Sequence, residues 1–165
     1  MQPFEEVVAE HGAVVMRVCR AMLRPADADD AWSETFLSAL RAYPDLRPDS
    51  NVRGWLVTIA HRKALDLIRR TKRVDPVADV PERSRGGELP ELPDDELRDA
   101  LAGLPPKQRA AVVLHYLGDL PYAEVGIALD TSAAAARRSA ADGIANLRTT
   151  YLPNRPARSN EESST

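Results

Sequence analysis

The chain has 165 residues, enough for one ordinary domain or two small ones. Apolar residues make up 44% and aromatics only 5%, with alanine and leucine dominant, which favours small helical bundles over a β-sandwich. The formal charge is −3, and the single cysteine, Cys19, excludes an internal disulfide and leaves any zinc site without its usual thiolates.

The charge is unevenly laid out. Residues 1–73 carry 12 basic and 10 acidic groups, 74–96 carry 2 and 8, and 97–165 carry 8 and 7. No apolar run approaches the ~20 residues that span a bilayer. The start "MQPFEEVV" does not read as a signal peptide. A soluble, cytoplasmic, all-α chain is expected.

In "PFEEVVAEHGAVVMRVCRAML" the positions Phe4, Val7, Val8, His11, Val15, Val18, Cys19 and Met22 recur at helical spacing. Pro3 suits a first helical position, Pro25 ends the segment, and Cys19 falls among the core positions. A second helix runs from about Asp27 or Ala28 to Ala42, with Trp32, Phe36, Leu37 and Leu40 on one face. "PDLRPDSN" (44–51) is a loop in which Ser50 or Asn51 caps the next helix. That third helix places Val52, Trp55, Leu56, Ile59, Ala60, Leu67 and Ile68 inward. Three amphipathic helices can close one core, so residues 1–73 read as a domain. Residues 74–96, with four prolines, a Gly–Gly pair and the acidic excess, bury too little apolar surface to offset their ordering entropy and read as a linker.

Beyond the linker, Asp94 or Asp95 caps a short helix ending near Gly103, and another runs from the prolines at 105–106 to Gly118. "PYAEVGIAL" is a third helix, "DTS" a turn, and Ser132 caps a fourth that runs to about Tyr151. Two helices joined by so short a turn form a helix-turn-helix pattern, and residues 97–152 read as a second, four-helix domain. The tail 153–165 is polar and carries proline, a composition of disorder.

Three features bear on function. Asp27, Asp29, Asp30 and Glu34 form an acidic face on the second helix. The positive helix end accounts for the first acids, but Glu34 lies beyond its reach and repels Asp30 at i, i+4. An acidic stripe beside exposed edges of Trp32 or Leu37 suits a partner's basic helix. The run 61–73 holds Arg62, Lys63, Arg69, Arg70, Lys72 and Arg73 against one Asp, more cations than a helix C-terminus needs and enough for phosphate contacts. In the last helix, placing Ala136, Ala140, Ile144 and Leu147 inward leaves Ala134, Ala135, Arg138 and Asp142 outward, with Arg137 at the edge. Ala133, Ala134 and Ala135 allow close approach to a groove and contact with thymine methyls. Arg138 can grip a guanine edge, and Ser132 with the helix N–H groups can meet a phosphate. His11, His61 and His115 have no metal-ligand spacing around them and no Gly-rich phosphate loop occurs, so neither enzyme chemistry nor a cofactor is expected.

Two stretches, "DADDAWSETFLSALRAY…NVRGWLVTIAHRKALDLIRRTKR" and "LPPKQRAAVVLHYLGDLPYAEVGIALDTS", resemble the second and fourth regions of the extracytoplasmic-function class of bacterial sigma factors, in the family's order and spacing. The resemblance implies an initiation factor without catalysis of its own that binds RNA polymerase core, through the β′ and β subunits, and promoter DNA. It implies that Asp27, Asp29, Asp30, Glu34 and Leu37 meet the β′ coiled coil. Arg47, Asp49, Ser50 and Asn51, with Arg62, Lys63, Arg69 and Arg70, would handle the opened minus-ten strand, the loop helping to capture a flipped base. Ser132, Ala133, Ala134, Ala135, Arg137 and Arg138 would address the minus-thirty-five duplex. An anti-sigma factor is a further implied partner, and the acidic linker would thread the polymerase's RNA path or serve only as a solvated tether. The family commonly has Gln at Ser33, Asn at Arg62, Ser at Pro121 and arginines at Ser139 and Asp142. Two arginines and a helix end bias position without anchoring the chain. The rival readings are a stand-alone helix-turn-helix regulator and a sigma-like chain that titrates an anti-sigma factor.

Overall fold

A computed structural model describes residues 1–74 and 93–151, and all regular structure there is helical. Residues 75–92 and 152–165 lie outside the described residues, and with them most of the expected linker and the whole of the expected tail. α1 (Phe4–Met22) starts where the Pro3 carbonyl accepts the Glu6 and Val7 amides. Its apolar stripe is buried, including Val7, His11, Val15, Val18, Cys19 and Met22. Burial pushes the Cys19 thiol up to about 12, which makes it a core thiol and no nucleophile at neutral pH.

α2 (Pro25–Ala42) begins two residues ahead of Asp27, because Pro25 opens this helix as its first residue. Ala28, Ala31, Thr35, Phe36 and Ala39 form the buried face. Of the face read as Trp32, Phe36, Leu37 and Leu40, Phe36 is buried and Trp32 half-buried, while Leu37 and Leu40 are 48% and 51% exposed. The small residues Ala28, Ala31 and Ala39 let α1 and α3 approach closely and leave the two leucines outside the contact. The indole of Trp32 donates to the Gly12 carbonyl at 2.9 Å, fixing α2 against α1.

After a 3₁₀ turn (Tyr43–Asp45), α3 (Val52–Val74) is capped by Asn51, whose side-chain oxygen accepts the Gly54 amide at 3.1 Å. Leu56, Val57, Ala60, His61 and Ala64 are buried, while Trp55 is half-buried near Tyr43. α4 (Asp95–Ala102) begins inside the stretch read as linker, because the Asp94 carboxylate caps it by accepting the Leu97 amide at 2.8 Å. α5 (Pro106–Val112) runs into a π turn (Val113–Leu117) closed by the Gly118 amide on the Val113 carbonyl. The sequence shows only one continuous helix there.

α6 (Tyr122–Ala128) and α7 (Ala133–Thr150) complete the helix-turn-helix. A Cβ on Gly126 would lie 2.7 Å from the Thr131 carbonyl oxygen, so only glycine lets α6 and the turn meet this closely. Asp130 in that turn has φ 56°, the left-handed region that Asp tolerates better than most residues.

The two expected cores form one continuous apolar cluster. α1 packs on α4 and on the π turn, and α3 also touches the π turn. At that junction Arg17 pairs with Asp119 at 3.2 Å. His61, buried on α3, has no hydrogen-bond partner for Nε2 among the described residues. Burial first, then repulsion from Arg109 on α5 and from Arg62, lowers its pKa to about 4. The folded value lies below the ordinary 6.5, so the unfolded chain gains a proton that the folded chain refuses as pH falls between the two. Acidification from pH 7 to pH 5 therefore costs this site about 2 kcal/mol of stability. Denaturant unfolding at both pH values checks it: His61→Leu is expected to flatten the pH dependence, and an unchanged dependence would refute the assignment.

Candidate functional site

α2 and α3 lie side by side and bring opposite charges together. Asp29, Asp30 and Glu34 are exposed on α2, while Asp27 in the first turn is half-buried. On α3 the cations divide by their seven-residue spacing. Arg62 and Arg69 share one exposed face; Lys63 and Arg70 share the next. The second pair lines a groove of about 320 Å³ with Asp66 and Leu67, opposite Asp30, Ser33 and Glu34 of α2. Arg69 also reaches Asp66 at 3.8 Å, an exposed pair of little energetic weight. Four cations of the run 61–73 therefore divide, Lys63 and Arg70 lining the groove with the acids and Arg62 and Arg69 exposed outside it.

The loop before α3 is ordered by local bonds. The Ser50 amide donates to the Arg47 carbonyl at 3.0 Å, and Asn51 is occupied as the α3 cap. Arg47 and Asp49 are exposed beside it, and Ser50 is half-buried. Within the first domain these residues are covalently continuous with the helix that carries the cations.

In the second domain Ser132 caps α7, its hydroxyl oxygen accepting the Ala135 amide at 3.0 Å. The hydroxyl proton remains available to a phosphate. Ala133 and Ala134 are exposed and Ala135 is half-buried, so the N-terminal face is open and sterically bare. Ala136, Ala140, Gly143 and Leu147 are buried, as the helical period requires. Arg138 and Asp142 are exposed on the outer face. Arg137 sits at the edge, its Cζ 5.2 Å over the Tyr122 ring. Nothing in the spacing of Tyr122 and its neighbour His115 announces that the two rings meet. Among the described residues no group of three or more His, Cys, Asp or Glu could hold a metal ion, and no helix is long and apolar enough to cross a membrane.

Sequence profiles for sigma-70 region 2 and sigma-70 region 4 match residues 7–74 and 94–147. The chain is 34% identical over 151 residues to the RNA polymerase sigma factor CarQ of Myxococcus xanthus, a match covering 88% of this chain and 87% of CarQ. The chain belongs to the extracytoplasmic-function sigma factors. A second similarity, 32% over 139 residues, is to the ECF RNA polymerase sigma factor SigE of Mycolicibacterium smegmatis and covers 78% of this chain and 54% of SigE. In fold the sigma factor resembles CnrH, solved in complex with the cytosolic domain of CnrY, with a TM-score of 0.71 at 24% identity over 92% of this chain and 89% of CnrH. It also resembles the sigma factor RpoE of Bartonella quintana, solved with the anti-sigma factor NepR, with a TM-score of 0.70 at 19% identity over 92% and 97% of the two chains. As a sigma factor it is a non-catalytic subunit that directs RNA polymerase to promoters for transcription initiation. The charged α2–α3 surface lies in the region 2 match and all but the last three residues of α7 in the region 4 match.

Proposed function

We propose a division of labour within this sigma factor. The acidic face of α2 (Asp27, Asp29, Asp30, Glu34, with Leu37) docks on the β′ coiled coil of core polymerase. The cations Arg62, Lys63, Arg69 and Arg70, with the loop residues Arg47, Asp49, Ser50 and Asn51, hold the opened minus-ten strand. Ser132, Ala133, Ala134, Ala135, Arg137 and Arg138 address the minus-thirty-five duplex. The observation that carries this reading is the split of the α3 cations. Lys63 and Arg70 line the groove opposite α2's acids, while Arg62 and Arg69 are exposed and outside its lining, so one helix pair offers opposite charge to two different partners.

The closed packing of the two domains suits the free chain. Promoter elements 25 base pairs apart are separated by about 85 Å at 3.4 Å per pair. A compact chain of this length has a radius of gyration of only about 15 Å. The domains therefore part when polymerase is bound, and the 18 residues of 75–92 can span at most about 60 Å of that gap. An anti-sigma factor acting in the cytoplasm is the natural inhibitor of such a chain, as CnrY and NepR accompany CnrH and RpoE in their structures.

Run-off transcription with purified core polymerase tests the reading. A promoter-specific transcript that depends on this chain is expected. Nanomolar binding of an operator by the chain alone, with no transcript, would assign it to stand-alone regulators.

A further inference from the structure

α7 offers the duplex only two cations near its start, and one of them is held in advance. The guanidinium of Arg137 lies over the ring of Tyr122, the first residue of α6. That ring lies flat on the imidazole of His115, with centroids 3.8 Å and planes 12° apart. His115 is itself tethered: its Nδ1 is 2.7 Å from the Leu120 carbonyl oxygen, a contact that requires the proton on Nδ1. The Tyr116 ring stands edge-on to the same imidazole, 4.8 Å away at 87°, and Tyr116 is also a side-chain hydrogen-bond partner of Tyr122. His115 and Tyr116 both belong to the π turn, a local departure from the helix of a kind often found at functional sites. The turn closes on the Gly118 amide and delivers the imidazole to the start of α6, so a backbone irregularity, an aromatic stack and a DNA-facing arginine form one continuous column.

We infer that His115 and Tyr122 are positioning residues for Arg137 and aim it at a backbone phosphate of the minus-thirty-five duplex. The inference rests on the reading of α7 as the helix that meets that duplex. In a helix-turn-helix the first helix crosses the backbone while the second presents its N-terminal residues to the bases. Arg137 leans onto the first residue of the first helix, which puts it on the backbone side. Arg138, one position on and exposed, is left for the base edges. A guanidinium lying over an aromatic ring keeps its N–H edges free, and those edges match a phosphate. Fixing the side chain before DNA arrives removes part of the ordering cost that a free arginine meets on binding. With so few cations on the helix, that saving weighs heavily.

The test is the binding of promoter duplex by holoenzyme across a salt series. Arg137→Ala is expected to weaken binding and to reduce the slope of log K against log salt by about 0.9, one phosphate contact. Tyr122→Leu and His115→Ala should each weaken binding roughly 3- to 10-fold while keeping the slope, since the charge remains. In the Arg137→Ala background the same two substitutions should have no further effect, an outcome a purely structural role could not produce. Tyr122→Phe, which preserves the ring face, should bind like the parent. Tyr122→Leu effects that add fully to those of Arg137→Ala would overturn the positioning role and leave the reading of α7 standing. An Arg137→Ala variant unchanged in affinity and slope would overturn both.

Discussion

Holoenzyme carrying Arg62→Glu and Arg69→Glu together is expected to open promoter DNA on the order of 100-fold less well than the parent, because two charge-assisted contacts are lost and two repulsions to phosphate are added. Both side chains are exposed and neither lines the groove shared with α2. Folding and affinity for core polymerase should therefore be unchanged. Strand opening, read by fluorescence of a base analogue in the minus-ten element, should fail in step with the run-off transcript. Raising salt should depress the parent more steeply than the variant, since the variant has fewer counterions to release on binding. If the variant opens promoters normally, Arg62 and Arg69 do not touch DNA.

Glu34→Lys combined with Leu37→Ala should weaken binding to core polymerase on the order of 100-fold, since an apolar anchor beside a charge pair is the composition of an interface hot spot. Leu37 is 48% exposed on α2 among the described residues, and Glu34 lies beyond the part of the helix where the dipole would reward an acid. Neither side chain supports the core. The melting temperature should move by no more than a few degrees, as for surface changes generally. Competition against labelled parent for core polymerase measures the loss. Equal competition by the variant would place the docking surface elsewhere on the chain.

These two outcomes also separate what was legible in the sequence from what was not. The helices of the first domain follow from period: Val7, His11, Val15, Val18 and Met22 fall on one stripe and are buried together. Caps were readable because their chemistry is local. Asp94, Asn51 and Ser132 each accept an amide three residues ahead. The extent of burial on α2 was readable only in part, since an exposed edge follows for Leu37 from its place beside the acidic stripe but not for Leu40. The apolar stripe there is wider than the contact that Ala28, Ala31 and Ala39 allow, so Leu37 and Leu40 are left outside. The π turn escaped because five residues at a slightly longer period leave no mark on a 3.6-residue pattern.

Interactions between elements were the least visible. The split of the α3 cations is implicit in the spacing of 62 with 69 and 63 with 70, yet the acids that face one pair belong to another helix. The continuity of the two cores brings Val57 of α3 and Leu101 of α4 into one cluster, and neither belongs to the positions that period placed inward. The stack of Tyr122 on His115 needs the π turn and α6 to meet, and no spacing rule predicts it. Charge pattern along the chain shows which surfaces exist; only packing shows which of them face each other.

The chain is expected to have weak grips on DNA that polymerase unites. α7 presents Arg137 and Arg138 and few other cations to a duplex, and the α3 cations address a strand that exists only after opening. Fluorescence anisotropy of one labelled promoter duplex, titrated with the chain alone and with the chain bound to core polymerase at the same salt, tests this most directly. Micromolar or weaker binding by the chain alone and nanomolar binding by the assembled enzyme are expected. Equal, tight binding in the two titrations would contradict the account, as would a core enzyme whose affinity for the duplex the chain leaves unchanged.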